Sequence, residues 1–239
     1  MALADNLVAY YSQEDTTGTD ATGRGNTLTA VNTPTSVLGI VGNGVSYASA
    51  SSQYQTRADN ADLSMGDIDF TIAGWLKATT LPGAASLFGK WHSSGGATPK
   101  EYWVGTVGTT LAFYVSSDGS AQTNINFGTT LATATWYFVV AWHDSVGNTI
   151  NITANDGTVA SASYSSGVFD GTSPFRLGAM ASDNNYQNGI LDEVGVWKRV
   201  LSAAEITELY NAGSGRDYAY IAAAAGQPAG RLLGRFWGG

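Results

Sequence analysis

Short runs of alternating apolar and polar residues, broken by Gly, Asn, Asp and Ser, recur along the whole chain and predict strands rather than helices. Strands are expected at 6–12, 45–47, 53–57, 70–76, 85–91, 102–106, 111–116, 123–127, 136–143, 149–154, 158–163, 175–178 and 189–197. In the run from Phe70 to Leu76, a period of two puts Phe70, Ile72 and Gly74 on one face and Thr71, Ala73 and Trp75 on the other. The same reasoning directs Phe70, Ile72, Phe138, Val140, Val194 and Val196 into a core between two antiparallel sheets. Asp118-Gly119 and Asp156-Gly157 read as tight hairpin turns. Many short strands joined this way describe an all-β sandwich or jelly roll.

One short helix is expected near the C-terminus. Ser202-Ala203-Ala204-Glu205 has the form of a capping box, in which the Ser and Glu side chains each satisfy a free amide at the helix start. Ile206, Leu209 and Tyr210 follow as an apolar face, and Gly213 ends it. The pattern changes at Arg216, which divides the chain into a jelly-roll domain over 1–215 and an extension over 216–239. Gly226, Pro228 and Gly230 break any helix there, so residues from Ile221 onward are expected to leave the sandwich as an arm.

Composition narrows the function classes. Eleven basic against nineteen acidic residues give a net charge of −8, which offers no electrostatic reason to bind nucleic acid. The absence of cysteine removes disulfides, thiolate metal sites and cysteine nucleophiles. Charged residues are only 13% of the chain, yet seven Trp and twelve Tyr argue for a packed core rather than disorder. The N-terminus Met1-Ala2-Leu3-Ala4-Asp5 has no basic region and no apolar run, so no secretory signal is expected. No apolar run reaches the length of a membrane span, so no insertion is expected.

Three segments carry a family resemblance. Asn6-Leu7-Val8-Ala9-Tyr10-Tyr11 with Asp20-Ala21-Thr22-Gly23-Arg24-Gly25-Asn26 resembles an opening strand and its loop. Phe70-Thr71-Ile72-Ala73-Gly74-Trp75 resembles a core strand. Residues 189–197, with Leu201-Ser202-Ala203-Ala204-Glu205-Ile206, resemble a closing strand and the helix after it. In this order they resemble the laminin-G-like jelly-roll family of concanavalin A-like domains over residues 5 to 213. The resemblance implies a two-sheet antiparallel jelly roll. It implies little about the ligand, because the fold hosts many functions.

The resemblance also implies a structural calcium shared by Asp20, Asn26 and Asp192. Arg24 departs from the family's loop; it weakens such a site or pairs with Asp20. The other reading is that Asp20 caps a turn and Asp192 pairs with a basic neighbour. For catalysis, Asp192 and Glu193 are adjacent on a strand and point to opposite faces, so they cannot flank one glycosidic bond. Asp67 and Asp69 have the right spacing but sit at a strand entrance, and His92 and His143 read as solvated loop residues. No catalytic residue is assigned, and the chain is read as a non-enzyme.

Ligand contacts, if made by aromatics, are expected from Trp91, Tyr102 and Trp103 around a Gly/Ser loop, and from Tyr186 in the loop 183–188. Arg231, Arg235, Phe236 and Trp237 have the composition of a binding hot spot and are expected to dock the arm on a protein partner. The leading expectation is a non-catalytic structural protein at a virion surface, a capsid decoration or fibre, whose partners are copies of itself or particle proteins. The alternative is a carbohydrate-binding lectin module for surface glycans. A glycan-active enzyme comes last.

Overall fold

The computed structural model describes residues 1–81, 83–93, 99–182 and 184–224. The predicted all-β sandwich is what these residues form. One antiparallel sheet of eight strands holds β1 (Leu7–Tyr11), β3 (Thr35–Leu38), β4 (Asn43–Tyr47), β6 (Phe70–Ala78), β11 (Trp136–Asp144), β12 (Thr149–Ala154), β13 (Ala160–Ser163) and β15 (Gly189–Trp197). The facing sheet of seven holds β2 (Thr29–Val31), β5 (Tyr54–Arg57), β7 (Ala84–Lys90), β8 (Tyr102–Val107), β9 (Thr110–Val115), β10 (Thr123–Asn126) and β14 (Phe175–Leu177). Strands β2 and β3 escaped the sequence reading: both are short and mostly exposed, so they lack an apolar face.

The core between the sheets takes Phe70, Ile72, Leu76, Phe88, Tyr102, Val104, Phe113, Val139, Ala141, Phe175, Val194 and Val196. Phe138 and Val140, expected in that core, face the other way. They join Ala73, Trp75, Trp197 and Tyr10 on the outside of the eight-stranded sheet, under the helices α1 (Ala203–Tyr210) and α2 (Tyr218–Ala224). The cause is that both faces of β11 are covered, so its apolar run carries no parity signal.

The capping box forms as expected: the Ser202 hydroxyl accepts from the Glu205 amide, and Glu205 accepts from the Ser202 amide at 2.8 Å. Arg199 clamps the Glu205 carboxylate through two guanidinium nitrogens, at 2.9 and 2.7 Å. The same guanidinium donates to the carbonyls of Asp5 and Ala2, tying the N-terminal segment to the helix. Ile221, expected on a departing arm, is fully buried with Leu3, Ile206 and Leu209. Arg231, Arg235, Phe236 and Trp237 lie outside the described residues.

Candidate functional site

Cross-strand register defines what the seven-stranded sheet shows on its outside. Residues directly opposite one another share a face, so Asn124, Tyr114, Trp103, Gly89, Arg176, Thr56 and Thr29 form one outward row. The Trp103 ring lies flat over Gly105, where any Cβ would collide with it, and its Nε1 donates to the Ser86 hydroxyl at 2.9 Å. Tyr114 meets Trp103 and Trp91 edge-on, with centroids 5.2 and 5.9 Å away. The expected platforms Trp91 and Trp103 are therefore nearly fully covered, packed with Ala112 and Met180. Tyr102 points the opposite way, into the core, where its hydroxyl donates to the Leu63 carbonyl at 2.7 Å. Tyr186 is half-buried beside Tyr54.

Next to this cluster, at one end of the sheet, a shallow cleft of about 500 Å³ is lined by Pro99, Asp118, Gly119, Ser120, Phe169, Asp170, Gly171 and Thr172. That volume falls within the roughly 300–1,000 Å³ of small-ligand sites. Two Asp-Gly-hydroxyl tripeptides, 118–120 and 170–172, supply six of these eight residues. Their glycines make room for a carbon floor. A Cβ on Gly119 would meet Pro99 at 2.7 Å and Phe169 at 3.0 Å, and one on Gly171 would collide with Pro99. Gly119 also holds φ of +80°, which L side chains rarely adopt.

The walls are pinned from below. Phe169 donates its amide to the Ser116 carbonyl at 2.7 Å, Gly119 donates to the Ser116 hydroxyl at 3.0 Å, and the Ser173 hydroxyl donates to the Pro99 carbonyl. Deeper still, fully buried Lys90 pairs with Glu101 at 2.9 Å and with Asp59 at 2.6 Å. Burial pushes the Glu101 carboxyl up to about 7 against the pull of Lys90. In the cleft itself, the amides of Ser120 and Ala121 both donate to Asp118 Oδ1 at 2.8 Å and hold its carboxyl below the usual range.

The residues expected at a cation are placed as follows. Asp20 and Asn26 come together, with the Asn26 amide donating to Asp20 Oδ2 at 3.1 Å. Asp20 Oδ1 accepts from the amides of Tyr10 and Thr22 and from the Thr22 hydroxyl. This is the geometry of a turn cap. Asp192 Oδ2 instead accepts the amides of Ile40 and Val41, at 2.8 and 3.1 Å, and so holds a different turn. Asp20 and Asn26 thus lie together, while the Asp192 oxygen that is bonded holds the 40–41 turn. Among the described residues, no three His, Cys, Asp or Glu side chains gather around a possible metal position.

Asp192 and Glu193 lie at a bulge where β15 slips against β6, with Glu193 at φ +47°. Both are buried, and desolvation raises their carboxyls, Asp192 to about 7 and Glu193 to about 9. Asp69 is spent on the amide and hydroxyl of Ser145. His143, expected in solvent, is fully buried with Nδ1 2.9 Å from the Ile68 carbonyl. No helix among the described residues is long and apolar enough to cross a membrane.

Sequence reasoning missed Phe169, Asp118 and Asp170. The available signal was the repeated Asp-Gly-hydroxyl tripeptide, but it also occurs at 156–158, away from the cleft. Sequence alone could not say which two copies face each other.

A family model described as the concanavalin A-like lectin/glucanases superfamily matches residues 48–207. Among solved structures, the chain is similar to the binding domain of Paraclostridial Mosquitocidal Protein 1, with a TM-score of 0.73 and 18% identity. The match covers 88% of this chain and 53% of that one, so this chain spans about half of it. It is also similar to domain 4 of AbnA, an extracellular GH43 arabinanase from Geobacillus stearothermophilus, solved with arabinotriose. There the TM-score is 0.65 and identity 19%, over 85% of this chain and 97% of that one. A third is a botulinum neurotoxin type C structure, from work in which cell entry depends on two ganglioside molecules. Its TM-score is 0.63 at 13% identity, over 87% of this chain and 51% of that one. At these identities the likeness is one of fold. No curated protein matches the chain.

Proposed function

Because the chain belongs to the concanavalin A-like lectin/glucanase superfamily, we propose that it is a carbohydrate-binding module whose ligand sits in the cleft against Phe169. The observation that carries this reading is the pairing of a carbon floor, Pro99 and Phe169, with two flanking Asp-Gly-hydroxyl turns. A sugar ring has an apolar C–H face and a rim of hydroxyls. The floor suits the first, and the carboxylates and hydroxyls of Asp118, Ser120, Asp170 and Thr172 suit the second.

Binding is favoured over hydrolysis by the state of Asp118. A glycosidase needs one carboxyl that keeps its proton to protonate the leaving group. Asp118 is shifted the wrong way for that role by the Ser120 and Ala121 amides. The carboxyls that are raised are all buried, Glu193 and Asp192 in the eight-stranded sheet and Glu101 against Lys90. A particle-surface role rests on Arg231, Arg235, Phe236 and Trp237, and the described residues add nothing to it.

The test is a glycan array followed by titration calorimetry with the best ligand, for the protein and for Phe169→Ala. Removing the plate should weaken binding at least tenfold, the loss of about 1.4 kcal/mol of contact, while the far-ultraviolet spectrum stays that of a β protein. Unchanged affinity in Phe169→Ala would place the sugar elsewhere.

A further inference from the structure

Resting on that reading, we infer that the cleft selects neutral, hydroxyl-rich oligosaccharides and rejects glycans ending in a carboxylate or sulfate. Among the described residues, the formally charged ones lining it are Asp118 and Asp170, both exposed and both acidic. They are complementary to hydroxyl donors and repel an anion brought to the same floor. The chain's net charge of −8 adds a long-range field of the same sign.

Asp118 is set up as an acceptor. Its hydrogen bonds from Ser120, Ala121 and Ser116 all fall on Oδ1. The carboxylate is therefore held in place by one oxygen, which leaves Oδ2 to meet ligand hydroxyls. The same amides keep it ionised through neutral pH, so it cannot turn into a donor for an incoming carboxylate.

The nearest cation in sequence does not rescue an anionic ligand. Lys100 follows Pro99, but its ammonium lies over the Trp91 ring, 5.7 Å from the centroid, and donates to Gln122 at 3.2 Å. It is not among the lining residues. The other cation close by, Lys90, is fully buried beneath the cleft and engaged by Glu101 and Asp59. Recognition of a sialic acid needs a positive or amide-rich contact for its carboxylate, and here the two side chains that would meet it are negative.

The experiment compares a neutral oligosaccharide chosen from the array with the same glycan carrying a terminal sialic acid. Titrations on the full chain are run at low and at high salt, for the protein and for Asp118→Asn with Asp170→Asn. The neutral member should bind about tenfold or more tightly at low salt, and the gap should narrow at ~0.5 M salt as screening shortens the reach of the carboxylates. The double variant should lose the preference. Equal or tighter binding of the sialylated member to the unmodified chain overturns the inference while leaving the carbohydrate module standing. A preference that survives in the double variant overturns it too. Binding of neither glycan, nor of any other on the array, would remove the proposed function itself.

Discussion

Each sheet carries, on its outside, a tryptophan folded flat over a glycine two residues away on the same strand. On the eight-stranded sheet Trp197 lies over Gly195, and its Nε1 donates to the Leu3 carbonyl at 2.7 Å. On the seven-stranded sheet Trp103 lies over Gly105 and donates to Ser86. The local device is the same, but the surroundings differ. Helices α1 and α2 close over the first, and Leu3, Ile206, Leu209 and Ile221 complete a second core. Over the second, among the described residues, sits a small cluster of Trp91, Ala112, Met180 and half-buried Tyr114, and its strand row ends in exposed Asn124 and Thr29. An identical backbone motif is thus buried on both sides, under two helices on one and under a few side chains on the other. What decides is the chain that follows the closing strand.

The contrast can be broken most strongly by truncating one ring on each face. Phe138 is buried 5.2 Å from Trp75 under the helices, and Phe138→Ala should cost about 3–5 kcal/mol in chemical unfolding. Tyr114→Ala should cost about 1–2 kcal/mol, because a half-exposed ring recovers only part of its burial energy. Equal losses would mean that the two faces are equally packed.

A milder probe adds one methyl group beneath each tryptophan. Gly195→Ala and Gly105→Ala should each destabilise by about 1–3 kcal/mol through overpacking. Gly105 should be the worse, since a Cβ there also collides with the Ala85 carbonyl oxygen, a backbone atom that cannot swing aside, whereas at Gly195 the nearest atoms belong to the Trp197 and Tyr10 rings. If Gly195→Ala proves worse, the helices hold the Trp197 ring more rigidly than the strands hold the Ala85 carbonyl.

A last probe of the same contrast is pH. Burial raises Glu193 to about 9 in the folded chain, and its unfolded value is near the ordinary 4.5. A raised acid stabilises the fold fully below the unfolded value, and that stability is lost as pH climbs through the folded one. Stability should therefore fall from about pH 5 to pH 9, with Asp192 and Glu101 acting in the same direction up to about 7. Glu193→Gln should flatten the upper part of that slope in urea midpoints measured at several pH values. An unchanged slope would mean that the bulge under the helices is wetter than its burial implies.

How far the sequence was legible follows the same division. Strands with one apolar and one polar face, such as β12, announced themselves within a residue or two of their bounds. The Phe70–Ala78 strand was resolved face by face because Thr71 and Gly74 interrupt its run. Trp136–Asp144 was not: its Trp-Tyr-Phe-Val-Val-Ala-Trp run is apolar throughout, and Phe138 and Val140 were assigned to the wrong side. Aromatic residues beside a Gly/Ser loop looked like ligand platforms in Trp91 and Trp103, yet their outward row is roofed by Met180 and Tyr114. The cleft was illegible because its two halves, 118–120 and 169–172, lie about fifty residues apart and meet only through the fold.

The Arg199 clamp also governs how the N-terminal segment enters the domain. By gripping the carbonyls of Ala2 and Asp5 together with Glu205, it brings the first residues to the helix-covered side, where Ile221 of the last described helix also packs. The first residues and the last described helix therefore share one side, and no residue of the seven-stranded sheet belongs to that cluster. A partner joined to the first residues would hang from the helix-covered side, away from the seven-stranded sheet.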